Sequence, residues 1–307
     1  MRFFCRLFLC VVILSGMIGT DIGGAQVSWG IGKPLDSGRI DEIVGIKGAA
    51  KDGEYKITIP QKDLVVTVDG FRITPPMGLT SWVDFAPMQE DAMVMGDIVL
   101  LENEIGPVEK AAIEGGLTVT GLHNHFVRDK EKVMFMHIHG MGSVDRIAKG
   151  VRAVLDKIKE LRRAAPTDAQ APSVPNTIDT RKIESILGNK GESSGGVFKV
   201  TIGRPDVLLK DHGVEVTSFM GFNTWAAFQG SENNAAVAGD FTMLTEEVAP
   251  VIEALVKNGI EVVAVHNHMV TETPRIFFLH FWGEGPAGNL VRGLKAALDR
   301  TGKPQGL

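Results

Sequence analysis

The chain repeats itself. A shift of 143 positions aligns residues 40–156 with residues 183–299 without a gap, with 39 of 117 positions identical. Whatever fold one segment adopts must therefore be reachable by the other, and the molecule is expected to be two tandem homologous repeats. The identities include polar side chains that no core requires. His123, Asn124 and His125 fall on His266, Asn267 and His268, His137 on His280, Trp82 on Trp225, Gly96-Asp97 on Gly239-Asp240, and Glu104 on Glu247. With His139, whose match is Trp282, seven of the eight histidines belong to these two clusters.

The first 25 residues read as a cleavable export signal: Arg2 and Arg6 precede an apolar run from Leu7 to Ile18, and small residues end at Ala25. The run is too short to span a bilayer comfortably, so no transmembrane anchor is expected after cleavage, and the location is periplasmic or secreted. Cys5 and Cys10 would leave with the signal, which makes His, Met or Trp the only soft donors of the mature chain. Loss of Arg2, Arg6 and Asp21 takes the formal charge from −5 to −6, and this acidity excludes a basic footprint for nucleic acid. Repeat 1 is assigned to residues 36–160 and repeat 2 to residues 179–303, joined by a Pro/Ala-rich linker over 161–178.

Within repeat 1, strands are expected over Tyr55–Ile59, Leu64–Val68, Phe71–Thr74, Met93–Leu101, Leu117–Val127 and Val133–His139. Helices are expected after Arg39, over Glu104–Gly115 and from Val144. The order β-α-β-β-α predicts an α+β fold in which each repeat is a ferredoxin-like βαββα sandwich with a small antiparallel β-segment before it. Parity puts His123, His125, His137 and His139 on one face of a hairpin. A turn centred near Glu131 would set His125 opposite His137 and His123 opposite His139.

Crowded, buried imidazoles are expected to be neutral, and neutral imidazoles converging in space are metal ligands. The sequence points to zinc or copper on His123, His125, His137 and His139 in repeat 1, and on His266, His268 and His280 in repeat 2, where Trp282 leaves a coordination position open. Asp97 and Asp240 would hydrogen-bond the ligating histidines. Glu104 and Glu247 are candidate general bases for a metal-dependent hydrolase, with first-turn helix acids as the alternative reading. Trp82 and Trp225 are candidate ligand-stacking residues for a metal-free envelope-binding module, or core anchors.

The segments Gly-Asp-Phe-Thr-Met-Leu-Thr-Glu-Glu-Val-Ala-Pro-Val from Gly239, Gly-Ile-Glu-Val-Val-Ala-Val-His-Asn-His-Met-Val from Gly259 and Pro-Arg-Ile-Phe-Phe-Leu-His-Phe-Trp from Pro274 resemble the LppY/LpqO family of exported bacterial proteins. The resemblance covers both repeats. It implies a bacterial envelope location and cell-wall association, and it supplies no catalytic residue.

Overall fold

The computed structural model describes residues 33–163 and 176–302. The expected export signal, both cysteines and residues 164–175 of the linker lie outside the described residues.

Repeat 1 runs α1 (Ser37–Val44), β1 (Ala49–Lys51), β2 (Glu54–Pro60), β3 (Val66–Val68), β4 (Phe71–Ile73), β5 (Thr80–Met88), β6 (Asp91–Leu101), α2 (Ile105–Glu114), β7 (Thr118–His123), β8 (Val133–Gly142) and α3 (Val144–Arg162). Repeat 2 gives the same series as α4 (Thr180–Leu187), β9 (Gly191–Ser194), β10 (Val197–Gly203), β11 (Lys210–Asp211), β12 (Val214–Glu215), β13 (Asn223–Gly230), β14 (Ala235–Leu244), α5 (Val248–Lys257), β15 (Glu261–His266), β16 (Ile276–Gly285) and α6 (Ala287–Leu298). The first helix of each repeat ends on a left-handed glycine, Gly45 and Gly188, both at φ 77°.

Each repeat forms one mixed α/β unit around a six-stranded antiparallel sheet, ordered β1-β2-β5-β6-β8-β7 and β15-β16-β14-β13-β10-β9. The separate β-segment expected before the sandwich is not separate. Tyr55 and Ile57 on β2 pair with Phe85 and Val83 on β5 and face the same helices, so β1, β2 and β5 extend the main sheet. Among the described residues, only the ribbons β3–β4 and β11–β12 stand apart.

One face of each sheet packs on its own helices, Val83, Phe85, Ile98 and Ile138 against Ile147 and Val151 in repeat 1. The other faces pack on each other. Val99, Val133 and Phe135 share a cluster with Ala227, Ala236, Ala238 and Trp282. The ribbons cross over: Val66, Val68 and Ile73 of β3–β4 join that cluster beside repeat 2, while Leu209 and Val216 flanking β11–β12 pack with Ala86, Met93 and Met95 of repeat 1.

The histidine hairpin departs from its expected register. A bulge between Val119 and Gly121 and an early strand end place His123 opposite Phe135, Gly121 opposite His137 and Thr118 opposite His139. The cause lies in the loop. Asn124 Nδ2 donates to Phe126 O at 2.7 Å, Val133 N donates to Asp129 Oδ2 at 2.9 Å, and Lys130 pairs with Thr67 of β3. These contacts hold His125 beyond β7, and Phe126 turns into the layer between the sheets.

Gly239 of the shared Gly-Asp pair is required by close approach, since a Cβ there would lie 2.1 Å from Trp225 O and 2.4 Å from Phe281 Cζ. Gly239→Ala is expected to cost about 1–3 kcal/mol or more in urea unfolding. Gly106→Ala, in open space on α2, should be neutral or stabilising by up to about 1 kcal/mol.

Candidate metal centre

The two histidine clusters form one centre. His123 and His266 are the last residues of β7 and β15, His125 and His268 sit in the loops that follow, and His137 and His280 lie midway along β8 and β16. Because the inner faces of the sheets meet, each ring lies against a ring of the other repeat. The centroid separations are 3.7 Å for His123–His266, 3.7 Å for His125–His280 and 4.0 Å for His137–His268. The loop histidines are also clamped from their own side, His125 on Phe135 at 3.3 Å and His268 on Phe278 at 3.4 Å.

Five of the six rings are buried and His266 is half-buried. His137 Nδ1 lies 3.2 Å from Gly96 O, and His280 Nδ1 lies 3.1 Å from Gly239 O. A carbonyl only accepts, so each Nδ1 carries the proton and each Nε2 a lone pair. Among the described residues, both ring nitrogens of His123, His125 and His266, and Nε2 of His137, have no hydrogen-bond partner. Burial pushes His123 down to about 3. Burial first, then neighbouring histidines, hold His125, His137, His266, His268 and His280 well below the usual imidazole range.

Asp97 and Asp240 stand opposite His137 and His280 across the strands. Asp97 Oδ2 is 3.8 Å from His125 Nε2, and Asp240 Oδ2 is 3.7 Å from His268 Nε2 and 3.9 Å from His280 Nε2. Burial raises Asp97 to about 8 and Asp240 well above the usual carboxylate range. Three sets of donors, His123/His125/His280, His123/His137/His266 and Asp240/His266/His268, each bring one ligand atom per residue within 4.8 Å of the others. A cation fits this donor set, because it would occupy lone pairs that the protein leaves buried and unpaired.

His139 is not part of the centre. Its Nε2 lies 3.0 Å from Asp211 Oδ2, next to His212, on the ribbon of the other repeat. The matching residue Trp282 donates Nε1–H to Asp69 Oδ2 at 3.0 Å on the reciprocal ribbon, so the pair tethers ribbons and the four-histidine site of repeat 1 does not form. His212 and Asp69 are both left-handed turn residues, at φ 48° and 49°.

Glu104 and Glu247 are likewise drawn away from the histidines. Glu104 accepts from Leu101 N and is gripped by Arg162 at 2.7 and 2.9 Å. Glu247 accepts from Leu244 N and Gly302 N, and Arg204 holds it at 2.8 and 3.0 Å. Both carboxylates fix the turn between strand and helix, as first-turn acids, and neither is free to act as a base.

Trp82 and Trp225 line a cavity of about 330 Å³ beside the centre, together with Asp97, Asp240, His125, His268 and His280. Sequence reasoning missed two further residues there, Lys56 and Lys199, although they match under the same 143-residue shift. Their ammonium groups lie 4.1 Å over Trp82 and Trp225, respectively. Burial pushes both amines down to about 8, which leaves them cationic at neutral pH. A larger groove of about 470 Å³ beside Arg162 contains none of the histidines.

A family model described as Domain of Unknown Function (DUF1259) matches residues 38–157 and 181–300, which is 240 of the 307 residues. The chain belongs to this family. The DUF1259 match recovers the repeat with nearly the boundaries seen in the fold. No curated protein matches the chain. Among solved structures, a double-ringed trimeric shell protein from the RMM microcompartment is similar at 13% identity and TM-score 0.19, over 70% of this chain and 81% of that one. A fused permuted hexameric shell protein from the same microcompartment gives 12% and 0.19 over 80% and 94%, and EtuB from Clostridium kluyveri gives 10% and 0.20 over 83% and 89%. Likeness at this level assigns neither fold nor function.

Replacing Arg204 by Met would strand the buried Glu247 carboxylate, and urea unfolding is expected to show a loss of about 3–5 kcal/mol. The histidines predict a pH profile for metal-free protein. The unfolded chain protonates imidazoles near pH 6.5, whereas the folded chain resists until far lower, so acidification below 6.5 favours unfolding. Asp97, Asp240 and Asp84, raised by burial, act in the opposite sense, since their contribution is lost as pH rises toward about 8 for Asp97 and 7 for Asp84. Six imidazoles outweigh these three carboxyls and Glu54, which burial also raises, between pH 4 and 6.5. Each uncompensated proton is worth about 1.4 kcal/mol per pH unit. Thermal melts at pH 6.5, 5.5 and 4.5 should fall steadily, and a flat series would contradict neutral burial of the rings.

Proposed function

We propose that the protein binds a transition-metal ion, zinc or copper, through histidines contributed by both repeats to one shared centre. The observation that carries this reading is that, among the described residues, both ring nitrogens of His123, His125 and His266 and Nε2 of His137 lack a hydrogen-bond partner. The donor set is nitrogen-rich with carboxylates in reach and no thiolate, which suits zinc or copper over hard cations. When bound, such an ion would supply a positive charge and Lewis acidity. His137 and His280 are oriented by backbone carbonyls, and Asp97 and Asp240 stand close enough to join or steady the ligands.

On this reading the protein is an exported LppY/LpqO-like metal carrier or sensor of the bacterial envelope, released by cleavage near Ala25. The βαββα portion of each sheet, with β8 between β6 and β7, is read as a ferredoxin-like unit extended by three strands. No helix of the described residues is long and apolar enough to cross a membrane. The hydrolase alternative loses its base, because Glu247 is committed to Arg204. The envelope-binding alternative has less support, because Lys56 and Lys199 each occupy one face of an indole.

Elemental analysis of untagged protein from its own exported fraction should give near-stoichiometric metal. That metal should fall by at least about tenfold in His266→Ala/His268→Ala, as for loss of two ligands. Metal-free native protein, with a variant of unchanged stability, would refute the proposal.

A further inference from the structure

The two lysines of the cavity are not equivalent. Lys56 has partners built into the fold: its Nζ donates to Phe219 O and lies 3.9 Å from Asp84 Oδ2. Glu54 and Asp97 attract it at longer range. Position 227, which matches Asp84 under the repeat, is Ala. Lys199 therefore lacks the corresponding carboxylate. Among the described residues its Nζ has no hydrogen bond and no ion pair; it rests on the Trp225 face at 4.1 Å, and Asp240 acts on it only from further away. An aromatic face satisfies a cation from one side and accepts none of its N–H bonds along their axes. The remaining donors belong to a cation whose residue lines the cavity.

The cavity supplies what such a cation lacks. At about 330 Å³ it lies at the lower end of small-molecule sites. The Trp225 wall adjoins His125 and His280, with ring centroids 6.5 and 6.3 Å from the indole. We infer that this cavity seats a small oxyanion, of the carboxylate or phosphate class, on the Lys199 ammonium beside His125 and His280. The inference deepens the metal reading of the same centre, since one anion oxygen would complete the coordination of an ion held there, while the lysine seat stands on its own geometry. Repeat 1 answers the same need internally with Asp84.

The test is isothermal titration of the full exported chain with oxalate and, separately, inorganic phosphate at pH 7 and fixed ionic strength. Wild type, Lys199→Met and Ala227→Asp are compared, with metal content measured on every sample. At least one anion should saturate wild type at one site, and the stronger of the two identifies the class. Both variants should weaken it by at least about tenfold, the scale of one charge-assisted hydrogen bond. Ala227→Asp tests the idea without removing the lysine, because it restores the internal counter-ion that repeat 1 carries. Near-ultraviolet circular dichroism confirms that each variant is folded. Failure of both anions to saturate wild type, or equal binding by folded variants, overturns the inference. Metal retained in a Lys199→Met protein that binds the anion as well as wild type defeats the inference alone. Lysine-dependent anion binding by native protein without metal defeats the metal reading alone.

Discussion

The packing of two sheet faces on each other is the constraint from which the site follows. A single repeat would leave Val99, Val133 and Phe135 without cover, and the ribbons β3–β4 and β11–β12 close that layer by crossing to the opposite copy. The histidines occupy the polar part of the same layer. Once the faces meet, the imidazoles lose water together, and their neutrality is a consequence of the apolar contact around them. The cost of burying so many lone pairs is carried by the hydrophobic clusters on either side, and a cation would relieve it.

Much of this was legible in the sequence. The ungapped repeat gave two copies of one unit, glycines at 45 and 188 marked helix ends, and alternation along Val133–His139 put His137 on a common face with its neighbours. Asn124 and Asn267, matched across the repeats, hold the loops after the histidine strands by donating to Phe126 O and Met269 O. What parity could not provide was register. The loop after His123 is shaped by Asn124, Asp129 and a bridge from Lys130 to Thr67, and no count of alternating residues contains that long-range pairing. The expected pairing of His123 with His139 failed for that reason.

The partner of the histidine face was also invisible. Alternation tells which side a residue takes and says nothing of what meets it, so two sites, one closed and one open, were expected where the chain makes one. Glu104 and Glu247 misled because a carboxylate at a strand-to-helix junction reads alike whether it serves chemistry or a turn. Their arginines come from unrelated positions, Arg162 at the end of α3 and Arg204 after β10, which the repeat does not relate. Lys56 and Lys199 are identical across the copies and carry the signal, but a lysine in a short strand is usually solvated, so its identity alone does not mark a cavity.

Joining the two copies in one chain frees them from exact symmetry. In a pair of separate identical subunits every change appears twice about the axis, so a lysine with a counter-ion on one side must have one on the other. Here Asp84 and Ala227, and His139 and Trp282, differ across the pseudo-axis while the six histidines stay matched. The tandem connection thus permits a centre whose histidines are matched two-fold while the lining of the cavity beside them is not: Lys56 has Asp84 next to it in the fold, and Lys199 has an alanine at the matching place.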